Sequence, residues 1–286
     1  MKIYDCFTFY NEFDLLELRL TELNDHVDYF VLVEANTTYT SIPKPFLFEE
    51  NKQRYAKWLD KIIHVKVEDM PNHQDAWVND RFQRDQIFRG IKDADPDDLI
   101  MISDLDEIIR PEAVEAMRNS SEILFALRMP LFNFKLNYMR VSAGAYDIWG
   151  MAGRRHLFDH IMPDAFRFMR FQFMGSRGID RGCHVIEHGG WHFGYLGDVE
   201  WLRNKAQTFA HTECNNPEFI SQIDPEKHIA QRTSWSPGST DVYEIIKPDD
   251  YLPKTVINNP EVYGKYLLDN STHSAFDLMP QYPYNR

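Results

Sequence analysis

Four short apolar runs separated by helical stretches dominate the first hundred residues, and this alternation restricts the fold more than any other feature of the chain. The runs are residues 2–10 (KIYDCFTFY), 29–34 (YFVLVE), 62–67 (IIHVKV) and 99–103 (LIMIS). Between the first two, Leu15, Leu16, Leu18, Leu20 and Leu23 supply the apolar face of a helix. A polar, helix-compatible stretch at 49–59 follows the Pro43-Lys44-Pro45 break, and residues 75–91 carry Trp77, Phe82, Ile87, Phe88 and Ile91 at helical spacings. Strands alternating with helices predict an α/β fold with a mainly parallel sheet covered on both faces. Ligands of such sheets bind beyond the carboxyl ends of the strands.

After Pro111 the pattern loosens. A helix is expected at 111–118, strands at 123–128 and 132–138, irregular structure around a site at 141–190, and a helix at 198–209. The last fifty residues hold many of the prolines and end in QYPYNR, so residues 240–286 are expected to wrap one domain spanning 1–286. No internal repeat or low-complexity segment interrupts it.

Composition excludes several classes. The net charge of -13, from 31 basic and 44 acidic residues, argues against a surface that neutralises nucleic-acid phosphates. No run approaches the ~20 apolar residues of a membrane span, and the opening residues lack a secretory pattern. Three cysteines, Cys6, Cys183 and Cys214, are widely spaced, indicating neither a disulfide framework nor a zinc site. A cytoplasmic setting is expected, in which the N-x-S/T tripeptides at Asn36, Asn119 and Asn270 are coincidental.

The sharpest local signal is Ser103-Asp104-Leu105-Asp106-Glu107, directly after the buried run LIMIS. A chain leaving the sheet there presents Asp104 and Asp106 on one side, as a hard-oxygen site for Mn²⁺ or Mg²⁺. A cation so held neutralises charge on a departing diphosphate. Solvated loop carboxylates are the ordinary alternative for this tripeptide. In Glu187-His188-Gly189-Gly190-Trp191-His192-Phe193, Trp191 offers a face on which a sugar or base stacks, and His192 is a candidate third metal ligand. A hydrogen-bonded packing role is the ordinary alternative for His192. Arg81 and Arg84 lie three apart on a helix leading to the metal strand, placed to meet phosphate or to pair with Asp80 or Asp85.

Several ordered motifs together carry a resemblance. They are Glu12-Phe13-Asp14-Leu15-Leu16 with Arg19, then Glu22-Leu23, Val27-Asp28, Phe30-Val31, Glu34, Asn36 and Pro43-Lys44-Pro45. Gln74-Asp75 with Trp77, Asp97-Asp98, Asp106-Glu107-Ile108, Gly190-Trp191-His192, Pro253-Lys254 and Tyr266-Leu267-Leu268-Asp269 continue the series. Over residues 11–269 the chain resembles glycosyltransferase family 17, which contains the β-1,4-mannosyl-glycoprotein 4-β-N-acetylglucosaminyltransferases. The resemblance implies a GT-A type nucleotide-sugar-binding fold, a D-x-D metal motif and inversion at the sugar's anomeric carbon. It implies transfer of N-acetylglucosamine from UDP-GlcNAc to a glycan hydroxyl. Asp104 and Asp106 then belong to the metal motif, with Asp106 preferred as direct ligand and His192 as third. Glu34 and Asn36 are expected at the ribose or base, and Arg84 near the diphosphate. Animal members carry an amino-terminal membrane anchor, whereas this chain starts almost at its first strand, which puts a protein-linked N-glycan acceptor in question.

Inversion requires a carboxylate to accept the proton of the attacking hydroxyl. Glu187 is the first candidate, with Asp147 and Asp180 open and an ion pair with a residue such as Arg181 as the alternative role for Glu187. Two rival functions are considered. A sugar-nucleotide pyrophosphorylase is expected to open with a Gly-rich basic loop where this chain has Tyr10-Asn11-Glu12. A non-catalytic carbohydrate-binding protein has no evident need for Asp104, Asp106 and His192 together.

Overall fold

In the computed structural model, which describes residues 1–142, 146–235, 239–249, 251–271 and 273–278, the alternating runs form the parallel half of one sheet. The segment QYPYNR lies outside the described residues. The strands are β1 (Ile3–Phe9), β2 (Tyr29–Ala35), β3 (Ile62–Val67), β4 (Leu99–Ile102), β5 (Glu107–Ile109), β6 (Leu124–Asn133), β7 (Tyr138–Arg140), β8 (Tyr146–Arg154), β9 (Gly178–Asp180), β10 (Cys183–Ile186), β11 (Gly190–Gly194) and β12 (Tyr243–Ile245). The main order is β12-β7-β6-β8-β4-β1-β2-β3.

From β4 through β1 and β2 to β3 every pairing is parallel. Unbroken apolar runs suit these strands because both faces are covered. Phe30 and Leu32 of β2 join Leu99 and Met101 of β4 in one core with Leu16 and Leu20 of the helix Phe13–Leu23. Their neighbours Val31, Val33, Ile100 and Ile102 enter a second core with Ile87, Ile91 and Phe166 on the opposite face. Beyond β4 the sheet turns antiparallel through β8 and β6, so the α/β class holds while parallel pairing is concentrated in the amino-terminal half.

Two of the expected boundaries shift. The expected strands at 123–128 and 132–138 are one long strand, β6, followed by β7. The stretch read as irregular contains β8, which pairs with both β4 and β6. Gly150 and Gly153 disguise it in sequence, and at Gly153 the contact is tight: a Cβ would lie 2.9 Å from Leu157 and Phe166 carbons.

The carboxyl-terminal region packs on the face formed by Leu15, Leu18, Ile108 and Trp191. Tyr251, Leu252, Val256, Tyr263 and Ala275 complete that core. Glu22 accepts hydrogen bonds from the backbone N–H groups of Lys254 (3.1 Å) and Thr255 (2.9 Å), tying the start of the helix Lys254–Asn258 to the Phe13–Leu23 helix. No helix among the described residues is long and apolar enough to cross a membrane.

Candidate active site

The turn between β4 and β5 is built by local hydrogen bonds and secured from below by one guanidinium. The Glu107 N–H donates to the Asp104 carbonyl at 3.0 Å, while the Glu107 carboxylate accepts from the Asp104 N–H at 2.7 Å. Arg19 is completely buried and pairs through both ends of its fork with Asp5, at 2.7 and 2.6 Å. Its remaining reach goes to the turn: it donates to Ser103 Oγ at 2.8 Å and to the carbonyls of Asp104, Leu105 and Glu107 at 2.7, 3.2 and 3.3 Å. Leu105 points into the core, leaving Asp104 and Asp106 on the wall of a cavity.

That cavity measures about 570 Å³ and lies at the carboxyl ends of β1, β2 and β4, where the strand order predicts ligand binding. Its size is within the ~300–1,000 Å³ range of small-molecule sites. Its charged wall is unusual for so acidic a chain. Lys44, Arg84, Arg140, Arg167, Arg170 and Lys205 face Glu12, Asp80, Asp104, Asp106, Glu107 and Asp241, so six cationic side chains meet six carboxylates.

Asp104 belongs to the arginine network. One oxygen accepts from Arg84 at 3.1 Å and the other from Arg167 at 2.7 Å. Arg84 also binds Asp80 at 2.9 Å and Asp164 at 2.6 Å, and Arg167 binds Glu107 at 2.7 Å. Burial works to raise the Asp104 carboxyl, but Arg167, Arg84 and Arg170 prevail and hold it well below the usual carboxylate range. Burial, reinforced by the charge of Arg167, brings the Arg170 guanidinium down to about 10.

Asp106 is held differently. Its contacts are Lys205 Nζ at 3.5 Å and His192 Nε2 at 3.8 Å, both loose. β11 brings His192 there by pairing antiparallel with β5, with His192 opposite Glu107, and the Phe193 N–H donates to the Asp106 carbonyl at 2.7 Å. The approach depends on Gly190, where a Cβ would stand 2.3 Å from the Ile108 carbonyl. Burial lowers the His192 pKa despite the opposing charges of Asp106, Glu107 and Asp104, favouring the neutral imidazole. Its Nδ1 is buried without a hydrogen-bond partner.

Asp106 and His192 suit a divalent cation: a hard carboxylate with no close partner beside an imidazole in its ligating form. The expected three-residue set is not assembled, because Asp104 is engaged by Arg84 and Arg167. Among the described residues no group of three or more His, Cys, Asp or Glu surrounds one metal position.

The other expected residues separate. Arg84 reaches the wall, whereas Arg81 is exposed and outside it. Glu34 is fully buried, accepts from the Phe48 N–H at 3.1 Å and pairs with His64 and Lys44 at 3.1 and 3.6 Å. It supports the segment covering β2 and does not line the cavity. Its neighbour Asn36 is also off the wall, bonded through its backbone to Val67 and Lys44, while Thr37, Thr38 and Tyr39 line it. Glu187 pairs with Arg128 at 3.1 Å and Arg177 at 3.2 Å outside the lining, rather than with Arg181. Asp147 and Asp180 are likewise outside the lining.

Trp191 corrects a further expectation. It is 1% exposed, donates from Nε1 to the Tyr251 carbonyl at 2.7 Å and carries the Arg110 guanidinium 4.2 Å above its ring. No sugar reaches that face. Trp191→Phe is therefore expected to lower stability by about 1–3 kcal/mol through lost packing and the loss of one of the two hydrogen bonds to the Tyr251 carbonyl, which Arg110 keeps at 2.6 Å, with nucleotide affinity unchanged. Denaturant unfolding beside a nucleotide titration checks both halves of that expectation.

Arg167, Arg170, Lys205 and Asp241 were not singled out in the sequence. Arg167 and Arg170 lie three apart in the aromatic run FRFMRF (166–171), the spacing of Arg81 and Arg84, and Trp201 and Lys205 share one helix face, whereas Asp241 carries no local signal.

Known proteins share similarity with this chain at the level of sequence and fold. The sequence pattern of glycosyltransferase family 17 matches residues 1–166, more than half of the 286-residue chain. The β-1,4-mannosyl-glycoprotein 4-β-N-acetylglucosaminyltransferase of Rattus norvegicus is 24% identical over 94% of this chain and 55% of its own length. The Homo sapiens protein of the same name is 25% identical over 91% of this chain and 54% of its own. The chain thus spans about half the length of these relatives. Among solved structures, the mannosyltransferase PcManGT of Pyrobaculum calidifontis, in complex with GDP-Man and Mn²⁺, is similar at a TM-score of 0.37 and 14% identity, covering 80% of this chain and 69% of its own. The galactosyltransferase LgtC, in complex with donor and acceptor sugar analogues, gives 0.36 and 12%, covering 97% and 99%.

Proposed function

The chain belongs to glycosyltransferase family 17, and from that premise we propose that it is an inverting, metal-dependent enzyme of GT-A type that transfers N-acetylglucosamine from UDP-GlcNAc to a glycan hydroxyl. The observation that carries the reading is the cavity wall, where Arg84, Arg167, Arg170 and Lys205 gather around the Asp104–Glu107 turn. Six cations balance six carboxylates on this wall in a chain of net charge -13, and the Nε–H groups of Arg167 and Arg170 are buried without a hydrogen-bond partner, so the wall keeps donors for an anionic ligand such as a nucleoside diphosphate.

In the reaction the acceptor oxygen bonds to the anomeric carbon as the bond from that carbon to the diphosphate oxygen breaks. A Mn²⁺ or Mg²⁺ ion, held by Asp106 and His192, would supply positive charge to the leaving diphosphate. Arg84 and Arg167 keep Asp104 ionised and fixed, and with Arg170 they present donors to the phosphates. The acceptor proton goes to a carboxylate on the wall. We assign that role to Asp241, which accepts from Ser142 Oγ at 3.0 Å and lies 3.5 Å from Arg140, in place of Glu187, whose two arginine partners hold it off the wall.

The transferred sugar and a glycan acceptor follow the relatives' names, which concern proteins about twice as long, and the uridine nucleotide follows the family resemblance. The buried, unpaired state of Cys6, Cys183 and Cys214 supports a reducing, cytoplasmic setting. A thermal-shift screen tests the donor. UDP-GlcNAc with Mn²⁺ at about a hundred times its dissociation constant is expected to add about 2.7 kcal/mol of stability, with GDP-mannose giving much less. Equal stabilisation by every nucleotide sugar would remove the donor assignment, and no response to any would return the carbohydrate-binding alternative.

A further inference from the structure

Lys205 stands where a solvent-exposed helix would not ordinarily place an ammonium. The helix Val199–Thr208 is capped by Asp198, which accepts from the Trp201 N–H at 2.8 Å. Two side-chain bonds hold it against the end of β1: Trp201 Nε1 donates to Asn11 Oδ1 at 3.1 Å, and Tyr10 Oη to Asn204 Oδ1 at 3.3 Å. Lys205 Nζ then lies 5.0 Å from the Trp201 ring centre and 5.2 Å from that of Tyr195. Only 20% of its side chain is exposed; it pairs with Asp106 at 3.5 Å, and Glu12 is a second, more distant carboxylate acting on its charge. Two aromatic faces and the near carboxylate of Asp106, with Glu12 farther off, make a seat for a cation at the cavity wall.

Asp106 is also the carboxylate that suits a divalent ion, and two cations on one carboxylate repel each other. We propose that Lys205 is the resident counter-ion of Asp106 in the donor-free enzyme, and that its ammonium transfers to the donor's diphosphate when metal and nucleotide bind. The proposal rests on the reading of the cavity as a nucleotide-diphosphate site. It makes Lys205 a competitor of the metal in the free enzyme and a partner of the phosphates in the complex. Metal and nucleotide must therefore strengthen each other's binding.

Lys205→Met keeps the apolar stem between the two rings and removes the charge. Free Mn²⁺ measured by electron paramagnetic resonance is expected to show about tenfold tighter Mn²⁺ binding to this variant without nucleotide. UDP affinity at saturating Mn²⁺ is expected to fall about tenfold, and Lys205→Arg to restore most of it. Unchanged or weaker Mn²⁺ binding by a folded Lys205→Met protein overturns the proposal. If that variant does not fold, the unsubstituted protein still decides, because UDP must then tighten Mn²⁺ binding several-fold and independence of the two refutes the exchange. A protein that binds UDP and Mn²⁺ without this coupling loses the Lys205 role alone, whereas one that binds neither loses the nucleotide-site reading as well.

Discussion

Asp106→Ala is expected to reduce transfer at least about a hundredfold while leaving the protein folded, an effect of the size seen when one electrostatic partner of a developing charge is removed. Asp106 has no close contact whose loss would unfold the turn, since its backbone and not its carboxylate holds β11 through the Phe193 N–H. The substitution leaves His192 as the sole remaining protein ligand of the proposed pair and leaves Lys205 facing no carboxylate at that position. Mn²⁺-dependent stabilisation by UDP-GlcNAc should disappear together with turnover. Asp104→Asn makes the contrasting case, because Asp104 is held by two arginines and its loss should weaken nucleotide binding more than metal binding. Wild-type, Mn²⁺-dependent turnover by Asp106→Ala would sink the metal assignment, whatever happened to stability.

The parallel half of the fold was legible because β1, β2 and β4 are covered on both faces, and such strands must be apolar at nearly every position. The turn after β4 was legible for the same reason, since charged residues directly after a buried strand mark its exit. Legibility failed where tertiary contacts choose the residue. β8 was missed because glycines stand where Leu127 and Phe166 press on its backbone. Trp191 and His192 are separated by the alternation of strand side chains. Consecutive residues of a strand point to opposite faces, so both side chains of β11 could not serve one site. Trp191 joins Phe193 in the core while His192 turns to the cavity. The end of β2 follows a similar course: Glu34 is engaged by the Phe48 N–H, His64 and Lys44, while Thr37 to Tyr39 reach the wall. The cationic wall itself gathers Arg84, Arg167 and Lys205 from three helices far apart in sequence, and no local pattern records such an encounter.

Arg19→Met should cost about 3–5 kcal/mol of stability, the range for breaking a buried pair by removing one partner. The side chain fits the same space between the helix Phe13–Leu23 and β1, but three kinds of partner lose their donors at once. Asp5 becomes a fully buried carboxylate without its counter-ion, Ser103 Oγ loses a donor, and the carbonyls of Asp104, Leu105 and Glu107 lose the guanidinium that gathers them. Adding Asp5→Leu should recover part of the loss by removing the stranded charge, and the turn carbonyls should account for what is not recovered. Denaturant unfolding of the two single variants and the double variant measures each share. Turnover should fall with stability, because these carbonyls belong to the residues that aim Asp104 and Asp106 at the cavity. A loss below about 0.5 kcal/mol in Arg19→Met would be the size of an ordinary surface substitution and would mean that the Ser103–Glu107 bonds alone hold the turn.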